Sequence, residues 1–309
     1  MASVVLVLWG AATLAFAAFR IIPGDPVDVL LGPQAQVSEA VKAGIRSDLG
    51  LDRPVLEQYA TFLGRLVRGD LGESYQLRQP VVEVIGRQLA PTLQLSALAL
   101  VIAVVLALAS SLLVRGRTGR AVASGIELVV LSSPVFWTGL LLLSVFSFQL
   151  GWFPVSGARD AAAIVLPAVT LALPVAALLS QVLRDGVEAA EREPFLTTVR
   201  ARGATPLRES VHHTLRHAGV GGVTLAAYLV GSLLGGAVLV ETVFARPGIG
   251  RVTLTAITDR DLPVITGVIL LSALVFVVVN TVVDLVVPLI DPRLRTAAPA
   301  LAARAAVPS

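Results

Sequence analysis

The sequence predicts an all-α membrane protein of six transmembrane helices with a partly helical cap outside the membrane after the first. Three observations predict it. Of 309 residues, 55% are apolar and only 15% charged, against about 25% charged in a soluble domain. Mean hydropathy is +0.83. The apolar surplus is gathered into runs without a charge at Met1–Phe19, Gln88–Val114, Leu128–Ala158, Ala161–Leu183, Ala218–Val240 and Leu262–Val283. A helix crossing the hydrocarbon needs roughly 20 mostly apolar residues, so each run is long enough to be a span.

The elements follow in order. Residues 1–19 form the first span. Ala15-Phe16-Ala17 also fits the cleavage site of a secretory signal, but no basic region precedes it and no mature soluble domain follows. Residues 20–87 form the external cap, broken by turn residues at Pro23-Gly24-Asp25-Pro26, Gly32-Pro33, Gly50, Pro54, Gly69, Gly72 and Pro80. Within it Leu56, Tyr59, Leu63 and Leu66 recur at helical spacing, predicting an amphipathic helix over Val55–Val67. Residues 88–290 form a five-helix core. The second span ends in the basic turn Arg115-Gly116-Arg117-Thr118-Gly119-Arg120. The third, near Ala121–Leu150, stops at Trp152-Phe153-Pro154, residues typical of a headgroup boundary. The fourth, Ile164–Leu183, contains Pro167 and Pro174, which spans tolerate where neighbours satisfy the freed backbone. A charged loop over 184–217, the fifth span, the polar stretch 241–261, the sixth span and a tail over 291–309 complete the chain.

Orientation follows from the basic residues of short loops, since long segments translocate regardless of charge. Loops 115–120 and 184–217 and the tail carry 3, 6 and 3 arginines, whereas 151–160 and 241–261 together carry four. Both termini and the 184–217 loop are therefore expected in the cytoplasm, and the cap outside. The pI near 9.9 reads as this topology and as attraction to lipid headgroups, with nothing pointing to nucleic acid.

Several chemistries are excluded or disfavoured. Without cysteine there is no disulfide and no thiolate metal site. His212, His213 and His217 include an i, i+4 pair, but no carboxylate or cysteine nearby in sequence completes a metal-ligand set. No Gly-x-Ser-x-Gly or His-Glu-x-x-His occurs, so no catalytic set is assigned and no cofactor is expected. Glu127, Glu241 and Asp284 lie in or at the edges of spans, where charge is costly. They line a polar pathway or pair with arginine on one reading and, on the plainer one, lie near span ends within reach of water; for Asp284 a structural pairing is as good a reading as transport. Gly231-x-x-x-Gly235, mid-span in the fifth helix, is read as a helix-packing face rather than a pore hinge.

The 184–217 loop is the most informative segment. It reads as two short helices, Pro194–Arg202 and Pro206–His217, hinged at Gly203, with Thr205 capping the second and Pro206 at its first position. Leu207, Val211 and Leu215 make an apolar stripe that packs either on the bundle itself or in the groove of a soluble partner. The run Phe195-Leu-Thr-Thr-Val-Arg-Ala-Arg-Gly203, followed by Arg208 and His213-Thr-Leu-Arg-His217-Ala, resembles the cytoplasmic loop of the inner-membrane permeases of dipeptide, oligopeptide and nickel ABC importers. The resemblance extends through Ile21–Pro26, Leu49–Pro54, Gly69–Gly72, Leu89–Thr92, Ser133–Trp137, Leu150–Pro154, Leu166–Pro174, Glu241–Gly250 and Asp291-Pro-Arg293. Phe195 and Thr197 stand where such loops usually carry a tyrosine and a basic residue, and Gly219-Val-Gly-Gly222 replaces an Ile/Leu-Pro pair.

That resemblance implies the type I ABC importer permease fold, alternating access between two permease chains (usually two different ones), a cytoplasmic ATPase partner and an extracytoplasmic solute-binding protein. It also implies that Phe195, Thr198, Arg200, Ala201, Arg202, Gly203, Pro206 and Arg208 contact the ATPase. The residues agree on one point independently. A P-loop needs a lysine for the ATP phosphates, and the only lysine, Lys42, lies in the cap and is followed by alanine. The energy source must be another chain if transport is ATP-driven. The competing reading, a secondary transporter or channel run by an ion gradient, would need mid-depth ionisable residues and an inverted repeat, and neither is clear.

Overall fold

The computed structural model describes residues 2–21, 27, 38–48, 50–114, 116–157, 160–203, 205 and 214–290. The turns at 23–26 and 32–33, the second hairpin helix from Pro206, the residues Arg208, His212 and His213, and the tail from 291 lie outside the described residues.

The described chain is helical: α1 (Ala2–Ile21), α2 (Glu39–Asp48), α3 (Val55–Val67), α4 (Val81–Leu113), α5 (Gly116–Ser132), α6 (Val135–Leu142) running into a π-helical turn (Leu143–Gln149), a 3₁₀ turn (Ala161–Ile164), α7 (Val165–Glu191), α8 (Pro194–Ala201), α9 (Leu215–Val243), α10 (Ile249–Thr258) and α11 (Leu262–Ile290). Among the described residues four helical stretches are long and apolar enough to cross a membrane: α4, Ala161–Glu191, Gly221–Val243 and Leu262–Val282. The apolar part of α1, Val4–Ala18, is shorter.

The expected third span is not one straight helix. α5 and α6 meet at a 105° bend, which makes a fifth crossing only if the bent pair counts as one. Proline explains the break. Pro134 has no N–H to continue the ladder and biases Ser133 away from the helical region; its own φ and ψ are −60° and 135°. Pro174, by contrast, lies inside an unbroken α7, and Pro91 inside α4. Pro167 falls in the first turn of α7, where a missing N–H leaves nothing unsatisfied.

The chain forms two compact units, Met1–Thr92 with Pro247–Val277, and Leu93–Arg246 with Val278–Ser309. In the first unit, the amphipathic helix expected over Val55–Val67 is observed with those bounds. It lies against α1: Phe16 packs on Tyr59 and Phe62 at centroid distances of 5.2 and 5.6 Å, and Thr13 Oγ1 and Tyr59 Oη share a 2.7 Å hydrogen bond. A small core joins Val81, Val84 and Ile85 of α4 to Ala256 of α10 and to Val264 and Val268 of α11. Gly267 permits this approach, since a Cβ there would stand 2.6 Å from Val81 Cγ1 and 2.7 Å from Ile85 Cδ1. Thr92 Oγ1 accepts from the N–H of Ile249 at 2.8 Å, so a side chain of α4 caps the start of α10.

The second unit is built on α7. Leu171, Ala172, Val175, Leu179 and Leu183 pack with Leu229, Leu233, Ala237 and Val240 of α9. The face Leu95, Ala99, Ala103 and Ala107 of α4, repeating every fourth residue, is fully buried in the same cluster; small side chains let backbones approach where no hydrophobic force drives helices together. Gly222 and Gly236 of α9 serve the same end, for a Cβ on them would come within 2.6 Å of Leu183 and 2.8 Å of Leu171.

Candidate functional site

The segment after α7 is polar and short. The chain leaves α7 through Arg192 and Glu193, whose N–H groups bond to the carbonyls of Ala189 and Ala190. It re-enters a helix at Pro194, suited to a first turn, and α8 runs eight residues. Leu196 is buried, while Thr197, Thr198, Ala201 and Arg202 are exposed. Arg202 N–H bonds back to the Thr198 carbonyl at 3.1 Å, and Gly203 then takes φ +77°. A left-handed residue just past a helix end is the commonest stop signal, and glycine adopts it without a Cβ penalty. Gly203 thus ends α8; the second helix of the expected hairpin lies outside the described residues. Of the expected contact residues, Thr198, Ala201, Arg202 and Gly203 form one exposed strip; Phe195 and Arg200 lie on the same helix, their side chains outside the described residues.

The C-terminal end of the expected fourth span carries a charged cluster. Arg184 and Glu127 are both buried, at 8% and 7% exposure. Arg184 donates Nη1 to Glu127 Oε1 and Nη2 to Oε2, a parallel fork, and Nη1 also donates to Ser110 Oγ at 3.0 Å. Further along the same pair of helices, Arg120 Nη1 stands 2.9 Å from Glu188 Oε1 and Nη2 3.3 Å from Glu191 Oε2. The reading of Glu127 as a water-reaching span-end residue is therefore corrected in favour of pairing with arginine: it sits in the interior because one guanidinium satisfies both of its oxygens, while Ser110 Oγ accepts from that guanidinium. Glu241 is corrected likewise, being fully buried inside α9. The side chain of Asp284 lies outside the described residues.

Gly231 and Gly235 behave differently from their neighbours. Among the described residues no atom of a neighbouring element lies within 4 Å of the Cβ either would carry, and the close approaches of α9 are made by Gly222 and Gly236. The exposed side of α9 is Gly221, Thr224, Tyr228, Ser232, Gly235, Leu239 and Thr242, small or polar at most positions.

In the first unit the carboxylate of Asp261, 2% exposed, organises the 73–80 turn. It accepts from Ser74 Oγ, from Tyr75 N at 3.2 Å and from Gln76 N at 3.4 Å. Burial and the nearby Asp261 charge push the Tyr75 phenol above its usual range, with Arg65 opposing. Beside this turn lies a mostly apolar cavity of about 240 Å³ lined by Gln76, Leu77, Gln88, Arg251, Thr255 and Asp259. No group of three or more metal-binding side chains occurs among the described residues.

The ladder from Arg120 to Glu191 had a signal in the sequence. Arg120 and Glu127 are seven apart, and Arg184, Glu188 and Glu191 lie at i, i+4 and i+7, so each set occupies one helix face with opposite signs at its two ends. The two segments had to be paired before that pattern meant anything.

Comparison with known proteins fits these features. Residues 99–296 match the family described as binding-protein-dependent transport system inner membrane component, and residues 1–96 match its N-terminal companion. The di/tripeptide transport system permease protein DppB of Pseudomonas aeruginosa (strain UCBPP-PA14) is 35% identical over 93% of this chain and 94% of its own length. The glutathione transport system permease protein GsiC of Escherichia coli (strain K12) is 36% identical over 93% and 94%. A probable peptide ABC transporter permease protein, y4tP of Sinorhizobium fredii, is 34% identical over 96% and 97%. Among solved structures, a chain of the inward-facing MetNI methionine ABC transporter overlays with TM-score 0.57 at 18% identity, covering 67% of this chain and 96% of that one, which shows a shared fold. The chain belongs to the family of binding-protein-dependent transport system inner membrane components: it is a multi-pass permease subunit of an ABC importer, whose ATP hydrolysis resides in separate subunits.

Proposed function

We propose that this permease imports short peptides or a closely related solute across the cytoplasmic membrane by alternating access, paired with a second, non-identical permease chain. The solute class rests on relatives named for di- and tripeptides, peptides and glutathione. The reading takes α1 and the bent α5–α6 pair as spans, giving six with α4, α7, α9 and α11. It divides the chain into a first span over 1–19, a cap over 20–87, a core over 88–290 and a tail from 291. Both termini face the cytoplasm, as the arginine bias of the short loops favours, and the cap faces the solute-binding protein.

One observation carries the coupling role: a short helix, α8, with an exposed strip and a stop at a left-handed Gly203, lies in the charged loop between two apolar helices. Phe195, Thr198, Arg200, Ala201, Arg202, Gly203, Pro206 and Arg208 meet the ATPase there, with Arg200 and Arg202 orienting the dock and Gly203 making the turn. ATP binding closes the ATPase pair, and this hairpin passes the movement to the spans. Gly231 and Gly235, with open space beside them among the described residues, pack against the second permease.

Replacing residues 195–208 with a neutral linker of equal length tests the coupling role. The variant chain is expected to reach the membrane and lose ATPase co-purification; normal association and transport would refute the assignment. Uptake of labelled dipeptides, tripeptides, glutathione and nickel into a strain lacking this gene tests the solute. Peptide uptake restored by the gene is expected, and restoration of nickel uptake alone would overturn the peptide assignment.

A further inference from the structure

The ionic ladder between α5 and α7 stands just ahead of the proposed coupling helix. Contacts pair Glu127 with Arg184, and Arg120 with Glu188 and Glu191. Rising numbers on one helix thus meet falling numbers on the other, so the helices run antiparallel. The two rungs have opposite polarity: α5 supplies the cation at one and the anion at the other. Sliding the helices along each other breaks both rungs together. A slide of two turns, about 10 Å, brings Arg120 opposite Arg184. The inner rung is buried and bidentate, with Ser110 of α4 as a third partner. A buried charge that loses its partner is left uncompensated in an apolar surround. Only two residues, Arg192 and Glu193, separate α7 from α8.

From this geometry we infer that the ladder locks α5 and α7 in register, so that displacement of the coupling hairpin is carried through α7 to α5 as one rigid body, up to the 105° bend at Ser133-Pro134. Arg184 and Glu127 are positioning residues for transport. A hairpin docked to the ATPase but joined to α7 alone would move a single helix. The ladder makes it move two. The inference rests on the coupling role proposed for 195–208, and its test separates the two.

The chain has no cysteine, so spin labels can be placed at will. Label positions Val122 on α5 and Glu193 at the foot of the hairpin are exposed, and neither takes part in the ladder. In the full complex with its second permease, ATPase subunits and binding protein, the 122–193 distance is expected to be the same without nucleotide and with ATP trapped. A change of about one helical turn, roughly 5 Å, would overturn the lock. The companion variant is the double Glu127→Leu, Arg184→Met, which removes both charges and leaves no uncompensated partner. It is expected to assemble and hydrolyse ATP while importing about tenfold less solute per ATP, the size of effect that coupling residues produce. Wild-type import per ATP in that double variant would reduce the pair to a packing element and overturn the proposal. If the 195–208 linker variant couples normally while the 122–193 distance stays fixed, the hairpin reading falls and the inference falls with it, although the register lock itself stands.

Discussion

Two buried carboxylates, Asp261 in the first unit and Glu127 in the second, are nearly equally shielded and are satisfied in different ways. Asp261 is held by a hydroxyl and two backbone N–H groups from a turn some 185 residues away in sequence. Glu127 is held by one guanidinium on a neighbouring helix. Neutral dipoles gathered from one turn fix the shape of that turn and seat it on the short α10–α11 connection that carries Asp261. A charge matched by a charge on another rigid element fixes the relation of two elements. The first arrangement suits a surface that must keep its form, the second a pair of helices that must move together.

Removing one partner in each place separates the two arrangements. The largest effect is expected from Arg184→Gln or Glu127→Gln alone, which leaves a buried ion without its counter-ion and costs about 3–5 kcal/mol. Thermal unfolding of the purified permease should show it, with the double Glu127→Leu, Arg184→Met returning close to wild type. A single variant as stable as the double would deny that the charges depend on each other. Asp261→Ala comes next, at about 1–3 kcal/mol, since the Ser74 hydroxyl is stranded in the interior while the Tyr75 and Gln76 N–H groups are only partly buried. Hydrogen exchange should rise at residues 74–77 and stay unchanged at 171–183. Spread of the loss into α7 would contradict the local role assigned to this carboxylate.

Glycines sharpen the contrast at smaller scale. Gly267→Ala forces a methyl to within 2.6 Å of Val81 and 2.7 Å of Ile85, an overpacking cost of about 1–3 kcal/mol. Gly231→Ala meets no neighbouring element among the described residues and should leave the isolated subunit at least as stable. A loss of pairing with the second permease, read by size-exclusion chromatography, is expected from it alone.

The smallest effect concerns pH. Tyr75 has its proton affinity raised in the folded state, first by burial and then by Asp261. The unfolded chain therefore releases that proton first, and stability present below about pH 10 declines as pH rises beyond it. Tyr75→Phe should remove this part of the alkaline slope; an unchanged slope would show that the phenol does not contribute.

Much of the fold is legible in the sequence for a simple reason. Apolar runs bounded by charge are a local signal, and five of the six expected spans recur as continuous helices with shifted ends, such as α4 starting at Val81 rather than Gln88. The amphipathic α3 was legible because Leu56, Tyr59, Leu63 and Leu66 keep helical period. The bend at Pro134 was not, because proline is tolerated at 91 and 174 and breaks the helix at 134. That choice depends on what packs around the freed carbonyls. Of the candidate site, the left-handed Gly203 was legible from glycine after a short helix; the partners of Arg184 were not.

From the sequence alone it follows that this chain lives in a membrane, that it lacks a P-loop lysine, and that its polar residues gather after the first apolar run and between the fourth and fifth. These are properties of composition and short-range pattern. Only the tertiary structure decided which charges are buried, that Glu127 answers Arg184, that Asp261 holds the 73–80 turn, and that Gly222 and Gly236 take the close contacts while Gly231 and Gly235 do not. Each of these depends on residues brought together from distant parts of the chain, and the free energy of a buried charge is set by the partner it meets in space.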